Sequence, residues 1–176
     1  MQNPFSISFG TLPTQYISRI TQTNLIVEMF TGENPSNHVF MLTGTRGSGK
    51  TVMMTDISEK LRKEKDWIVV EISPERDMLE GLAATLYAIP ELHAIFGEAK
   101  LDFSALGLGV SFENSAPITD IEVAVNRMLE YVTKTGKRVL ITVDEVTNNS
   151  NLKVFAAAFQ IYLRRNFQVY LLMTGL

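Results

Sequence analysis

Apolar and polar positions along this chain switch repeatedly between a helical and an extended period. Ile20, Leu25, Ile26, Met29 and Phe30 recur at helical spacing, and Gly32 with the turn-rich run to Asn37 closes that helix. His38–Leu42 is a short apolar run that predicts a strand leading straight into glycine-rich sequence. Lys50–Lys63 predicts a helix with Met53, Met54, Ile57 and Leu61 on one side, and Trp67–Ile72 predicts a second strand. Ser73, Pro74 and Glu75 have the form of an N-cap, a proline at the first helical position and an acid in the first turn. The helix expected from there carries Met78, Leu79, Leu82 and Leu86. Thr119–Glu122 fits a capping box, with Ile121, Val125, Met128, Leu129 and Val132 following at helical spacing before Gly136. Val139–Val143 predicts a buried strand. Ser150 or Asn151 opens a helix with Val154, Phe155, Phe159, Tyr162 and Leu163, and Val169–Met173 predicts a last apolar strand.

Strands alternating with helices predict an α/β fold, a parallel β-sheet sandwiched by helices. Leu101–Glu113 breaks the rhythm; its alternation of apolar and small residues around Gly107 and Gly109 predicts a β-hairpin insert rather than a loop. A length of 176 residues without internal repeat or linker predicts a single core domain over 1–176. The last predicted strand runs to Leu176 with no covering helix, so a C-terminally truncated fragment is expected.

Composition narrows the function classes. Apolar residues make up 45% and charged residues 20%, the balance of a soluble globular protein. A net charge of −3 gives no large basic surface with which to grip nucleic acid by phosphate neutralisation alone. The absence of cysteine removes disulfides and thiolate–metal sites and fits a reducing cytoplasm, the expected location. No run of 18 apolar residues is present, so no membrane partner is expected, and Met1–Thr14 lacks the charged and apolar regions of a secretory signal.

The chemistry begins at GTRGSGKT, residues 44–51. Gly44, Gly49, Lys50 and Thr51 match the G-x-x-x-x-G-K-[ST] phosphate-binding loop, between a predicted strand and a predicted helix. Gly44, Gly47 and Gly49 let the backbone curl so that the N–H groups of the loop, Thr45, Arg46 and Ser48 included, point inward at phosphate oxygens. The helix beginning near Lys50 adds the positive end of its dipole. Lys50 brings a mobile charge to the β- and γ-phosphates, and Thr51 offers a hydroxyl to Mg²⁺. Arg46 either touches phosphate or is solvated.

A second motif lies at RVLITVDE, residues 138–145. A strand buried on both faces cannot hold free carboxylates, so Asp144 and Glu145 are expected at its C-terminal edge, where open parallel sheets bind ligands. Asp144 then belongs to the magnesium shell, directly or through water. Glu145 faces the γ-phosphate and polarises the attacking water.

With these segments in hand, the chain resembles a P-loop ATPase of the AAA+ and signal-transducing STAND type, akin to bacterial and archaeal initiator ATPases. The opening NPFSISFGTLPTQYISR is similar to the N-terminal box of that family, with Pro13, Tyr16, Ile17 and Arg19 at its adenine-side positions. Ser18 stands where glycine is usual and Ile20 where glutamate is, so the box is degenerate. YLLMTGL resembles the sensor-1 strand, with Thr174 as the polar residue at its tip, which implies contact with the γ-phosphate or the attacking water. The resemblance further implies strand order 5-1-4-3-2, of which this chain supplies 1-4-3-2, with the fifth strand and a helical lid missing. ATP and Mg²⁺ are the implied cofactors.

Two functions stay open. One is ATP hydrolysis coupled to remodelling of a DNA or protein partner held by missing C-terminal regions. The other is a nucleotide-dependent signalling or assembly switch with little turnover. Self-association through the ATPase domain is compatible with both. Arg164 and Arg165, ending a helix, read either as dipole partners or as an arginine finger for a neighbour. Asn148 and Asn149 read as water-positioning or as turn and cap residues, and His38 and His93 lack ligand partners.

Overall fold

A computed structural model describes residues 20–32, 35, 37–109, 111 and 115–176. The chain runs α1 (Ile20–Thr31), β1 (Val39–Thr43), α2 (Lys50–Arg62), β2 (Trp67–Glu71), α3 (Met78–Ala88), α4 (Pro90–Glu98), a 3₁₀ turn (Ser104–Leu106), α5 (Ile121–Lys134), β3 (Arg138–Val143), α6 (Ser150–Arg164) and β4 (Val169–Gly175). Among the described residues the strands form one four-stranded sheet in the order β1-β4-β3-β2, parallel throughout. This is the expected 1-4-3-2 order. β4 is therefore inserted between β1 and β3, with Leu42 opposite Thr174 on one side and Val143 opposite Met173 on the other.

Apolar side chains bury the sheet on both faces. On one, Ile26 and Phe30 of α1 and Met53, Met54, Ile57 and Leu61 of α2 pack on Trp67, Leu140, Tyr170 and Leu172. Phe30 is fully buried and meets Phe40 and Tyr170 edge to face, with ring centroids 5.1 and 5.3 Å apart. On the other face α3, α4, α5 and α6 cover Ile68, Val70, Val139, Ile141, Val143, Val169 and Leu171. Each central strand is covered above and below, which explains its unbroken apolar run. α1 differs from its simplest reading. Its buried stripe is Thr23, Ile26 and Phe30, while Leu25 and Met29 are 49% and 37% exposed.

Two helix starts differ in detail. Ser73 does not open α3; its hydroxyl accepts the N–H of Glu75 at 3.2 Å and closes a turn. The helix waits for Asp77, whose carboxylate accepts the N–H groups of Leu79 and Glu80 at 2.9 and 3.0 Å. Met78 and Leu79 are the first residues of the buried stripe, so burial chooses between two chemically acceptable caps. Asp120, not Thr119, caps α5 by accepting the N–H of Val123 at 2.9 Å. Asn149 caps α6, which begins at Ser150 as expected.

Of the hairpin expected over Leu101–Glu113, no strand is present among the described residues of this stretch. Asp102, 1% exposed, instead accepts the N–H of Ser104 at 2.9 Å and starts the 3₁₀ turn, while its carbonyl accepts the N–H of Ile118 at 2.8 Å. Phe103 is buried between Phe96 and Tyr87, with centroids 5.9 and 6.0 Å away. That contact consumes the apolar residue a hairpin face would have needed. The insert is thus pinned to α3 and to α4, a helix the sequence reading did not anticipate. Val110, Phe112, Glu113 and Asn114 lie outside the described residues.

Candidate nucleotide site

The loop of residues 44–49 leaves β1 at the C-terminal edge of the sheet and turns directly into α2. Gly44 has φ 155°, a conformation that residues with a side chain rarely adopt, and a Cβ there would also stand 2.9 Å from the Ser48 hydroxyl, so glycine suits this position. Ser48 N–H donates to the Thr45 carbonyl at 3.2 Å within that turn. Gly49 caps α2 in the left-handed region, φ 83°, and no side chain caps this helix. Asp77, Asp120 and Asn149 do cap α3, α5 and α6. Gly49, having no side chain, puts no N-cap oxygen on the first-turn N–H groups of α2, the arrangement that anion-binding helix starts use. Lys50 Nζ donates to the carbonyls of Gly44 and Thr45 at 2.7 and 3.0 Å, holding its charge over the loop. Arg46 is exposed.

The acid pair emerges beside it. β3 ends at Val143, and Asp144 and Glu145 follow at the same sheet edge as the loop. Thr51 Oγ1, on the first turn of α2, donates to Asp144 Oδ2 at 3.0 Å. Thr174 Oγ1 donates to Asp144 Oδ1. The N–H of Glu145 donates to Thr174 Oγ1 at 2.9 Å and to Asp144 Oδ1 at 3.1 Å. Glu145 takes a left-handed conformation, φ 53°, which costs a side-chain-bearing residue roughly 1–2 kcal/mol. That turn separates the two carboxylates: Asp144 stays at the loop, and the Glu145 side chain is exposed.

The loop, Thr51, the acid pair and Thr174 are thereby brought to one edge by the interposed β4. Tyr16 and Arg19 lie outside the described residues. Other candidates fall elsewhere. Arg164 and Arg165 end α6 at the opposite edge of the sheet from the loop. His38 precedes β1 at that same far edge and stacks on Tyr170 at 4.6 Å, and His93 contacts Tyr87. Asn149 is occupied three times, accepting the N–H of Leu152 at 2.8 Å and donating to the Pro74 carbonyl at 3.1 Å and to Thr147 Oγ1 at 3.4 Å. The sequence reading missed Gly175. A Cβ there would meet Met41 Cε at 2.5 Å and Val146 Cγ2 at 3.4 Å, so the segment after the acid pair settles onto a bare strand end. A glycine inside an apolar strand was the available signal.

Comparison with known families adds one decisive match. An ATPase domain family, described as predominantly from Archaea, aligns with residues 20–173. The chain belongs to this family. Comparison of the ATPase domain with curated proteins gives no match. Among solved structures it is similar to Cdc6p from Pyrobaculum aerophilum, at 16% identity and a TM-score of 0.57, over 96% of this chain and 41% of that one. The Orc1 protein of Aeropyrum pernix, solved in complex with DNA, matches at 16% identity and a TM-score of 0.46, over 89% of this chain and 37% of its own. PCH-2 of C. elegans matches at 14% and 0.45, over 91% and 38%. The ATPase domain therefore spans about two fifths of the length of these structures. It has an α/β, P-loop NTPase-like fold, similar to that of Cdc6p. Among its described residues no helix is long and apolar enough to cross a membrane.

Proposed function

We propose that this ATPase domain binds ATP with magnesium at residues 44–51 and hydrolyses it using Glu145. The observation that carries the reading is the contact between Thr51 Oγ1 and Asp144 Oδ2, 3.0 Å apart though 93 residues separate them in sequence. A hydroxyl and a carboxylate side by side are the hard oxygen donors magnesium takes alongside phosphate and water. Among the described residues there is no group of three or more His, Cys, Asp or Glu that would hold a metal alone. Thr51 and Asp144 are thus the residues that would hold the ion, which when bound offsets charge on the β- and γ-phosphate oxygens.

The chain's own groups divide the rest. Backbone N–H groups of Gly44 to Gly49 and of the first turn of α2 hold the phosphates, and Lys50 exchanges its two carbonyl partners for phosphate oxygens. The Glu145 carboxylate accepts a proton from the water that attacks the γ-phosphorus, so that ADP leaves as the P–O bond breaks. Tyr16 and Arg19 are the proposed adenine-side contacts. We further infer that turnover drives conformational change on a DNA or protein partner held outside residues 1–176, in the cytoplasm. A STAND-like switch, with self-association set by the bound nucleotide, is the alternative. Titration with a fluorescent ATP analogue, with and without magnesium, tests the site. Equal affinity for Lys50→Ala and its parent rejects it.

A further inference from the structure

The tip of β4 holds the acid pair through both the side chain and the main chain of one residue. Thr174 Oγ1 donates to Asp144 Oδ1 and accepts the N–H of Glu145 at 2.9 Å. The Thr174 carbonyl accepts the N–H of Val146 at 2.8 Å. Its side chain is fully buried, at 0% exposure. A hydroxyl has one hydrogen to donate, and here Asp144 receives it. In this arrangement the groups that Thr174 touches directly are those of the acid pair.

What it provides is alignment. Asp144 is held at both ends, Oδ1 by β4 and Oδ2 by Thr51 of α2. The N–H of Glu145 has two acceptors, both belonging to that same cluster. Together they stabilise a backbone conformation, φ 53°, that glutamate rarely adopts unaided.

We propose that Thr174 is a positioning residue: through Asp144 and the amide of Glu145, its hydroxyl sets the direction in which the Glu145 carboxylate leaves the sheet. This rests on the reading of Glu145 as the base. A misdirected base loses rate without losing substrate, because the phosphate loop is untouched.

Thr174→Val keeps the volume and removes the hydroxyl, and Thr174→Ser keeps the hydroxyl. The valine variant should bind a fluorescent magnesium-ATP analogue within about 3-fold of the parent and turn over roughly 10- to 100-fold more slowly, with KM little changed. The serine variant should restore most of the rate. Amide hydrogen exchange by NMR supplies a readout independent of turnover. The Glu145 amide should exchange roughly 10-fold faster in the valine variant and not in the serine variant. The Val146 amide, bonded to the Thr174 carbonyl, should keep its protection and so certify the fold; Thr174→Ala replaces valine where packing fails. Unchanged Glu145 exchange overturns the proposal. So does a valine variant that loses affinity in step with rate, because the hydroxyl would then touch the nucleotide. A Glu145→Gln variant that turns over normally would sink the proposed base instead, while leaving the exchange result to stand or fall alone.

Discussion

Thr51 and Asp144 come from different strand–helix units and meet with 3.0 Å between Oγ1 and Oδ2. The hydroxyl sits on the helix that follows β1, and the carboxylate follows β3. If this pair forms the protein's share of a magnesium shell, Thr51→Val should weaken binding of magnesium-ATP by roughly 10-fold and leave metal-free ATP affinity within about 2-fold. Parallel titrations in magnesium and in EDTA check it. Equal losses in both would mean the hydroxyl touches phosphate directly.

Lys50 should matter with or without the metal. Removing a charge aimed at two phosphates costs about 2–4 kcal/mol, so Lys50→Ala should bind on the order of 30- to 1000-fold more weakly. Its circular dichroism should be unchanged, because the side chain bonds only to loop carbonyls.

The two acids should separate by function. Glu145→Gln keeps its shape and loses its proton affinity, so turnover should fall ~100-fold or more with nucleotide still bound. Asp144→Asn should weaken magnesium-ATP binding itself. Identical binding defects in the two variants would refute the division of labour inferred from the left-handed turn between them.

Phe30 joins α1 to the sheet through Phe40 and Tyr170. Phe30→Ala should destabilise by roughly 3–5 kcal/mol in urea unfolding, whereas Leu25→Ala, on the exposed side, should cost under about 1 kcal/mol. Comparable losses would place the buried face of α1 wrongly.

Tyr162 predicts the opposite sign. It is fully buried and its hydroxyl has no hydrogen-bond partner among the described residues, and burial, aided by the charge of Glu122, pushes its phenol pKa upward. Replacing it by phenylalanine removes an unsatisfied polar atom, so Tyr162→Phe should be neutral or stabilising by up to ~1 kcal/mol. A loss beyond about 1 kcal/mol would reveal a partner for that oxygen.

The parts legible in the sequence were those dictated by one short segment at a time. GTRGSGKT specifies its own loop, and an apolar run ending in Asp144 and Glu145 must surface where the strand does. Ambiguity entered where local signals competed. Ser73 and Asp77 are both sound caps, and only the burial of Met78 and Leu79 on a distant surface decides between them. The stretch from Leu101 alternates like a strand, yet Phe103 has a better partner in Phe96 and Asp102 a better use as a turn acceptor. α4 escaped notice because nine residues hold too few apolar positions to display a period. Thr174 could be placed at the strand tip from sequence, but the inward direction of its hydroxyl is a tertiary fact.

The strand order carries a consequence for biosynthesis. β1 bears the phosphate loop, β3 the acids, and the strand that bridges them is β4, with His38 and Val169 in contact across 131 residues of sequence. Until β4 arrives, β1 has no neighbour in the described sheet, and loop and acids have no fixed separation. Long-range parallel pairing of this kind is slow and leaves apolar edges open in the meantime. A ribosome-bound chain ending before Val169 would therefore own every phosphate and metal ligand named above and still lack a nucleotide site. Competence for ATP would arrive in a single step, when β4 pairs with β1 and β3, making nucleotide binding a reporter of that pairing.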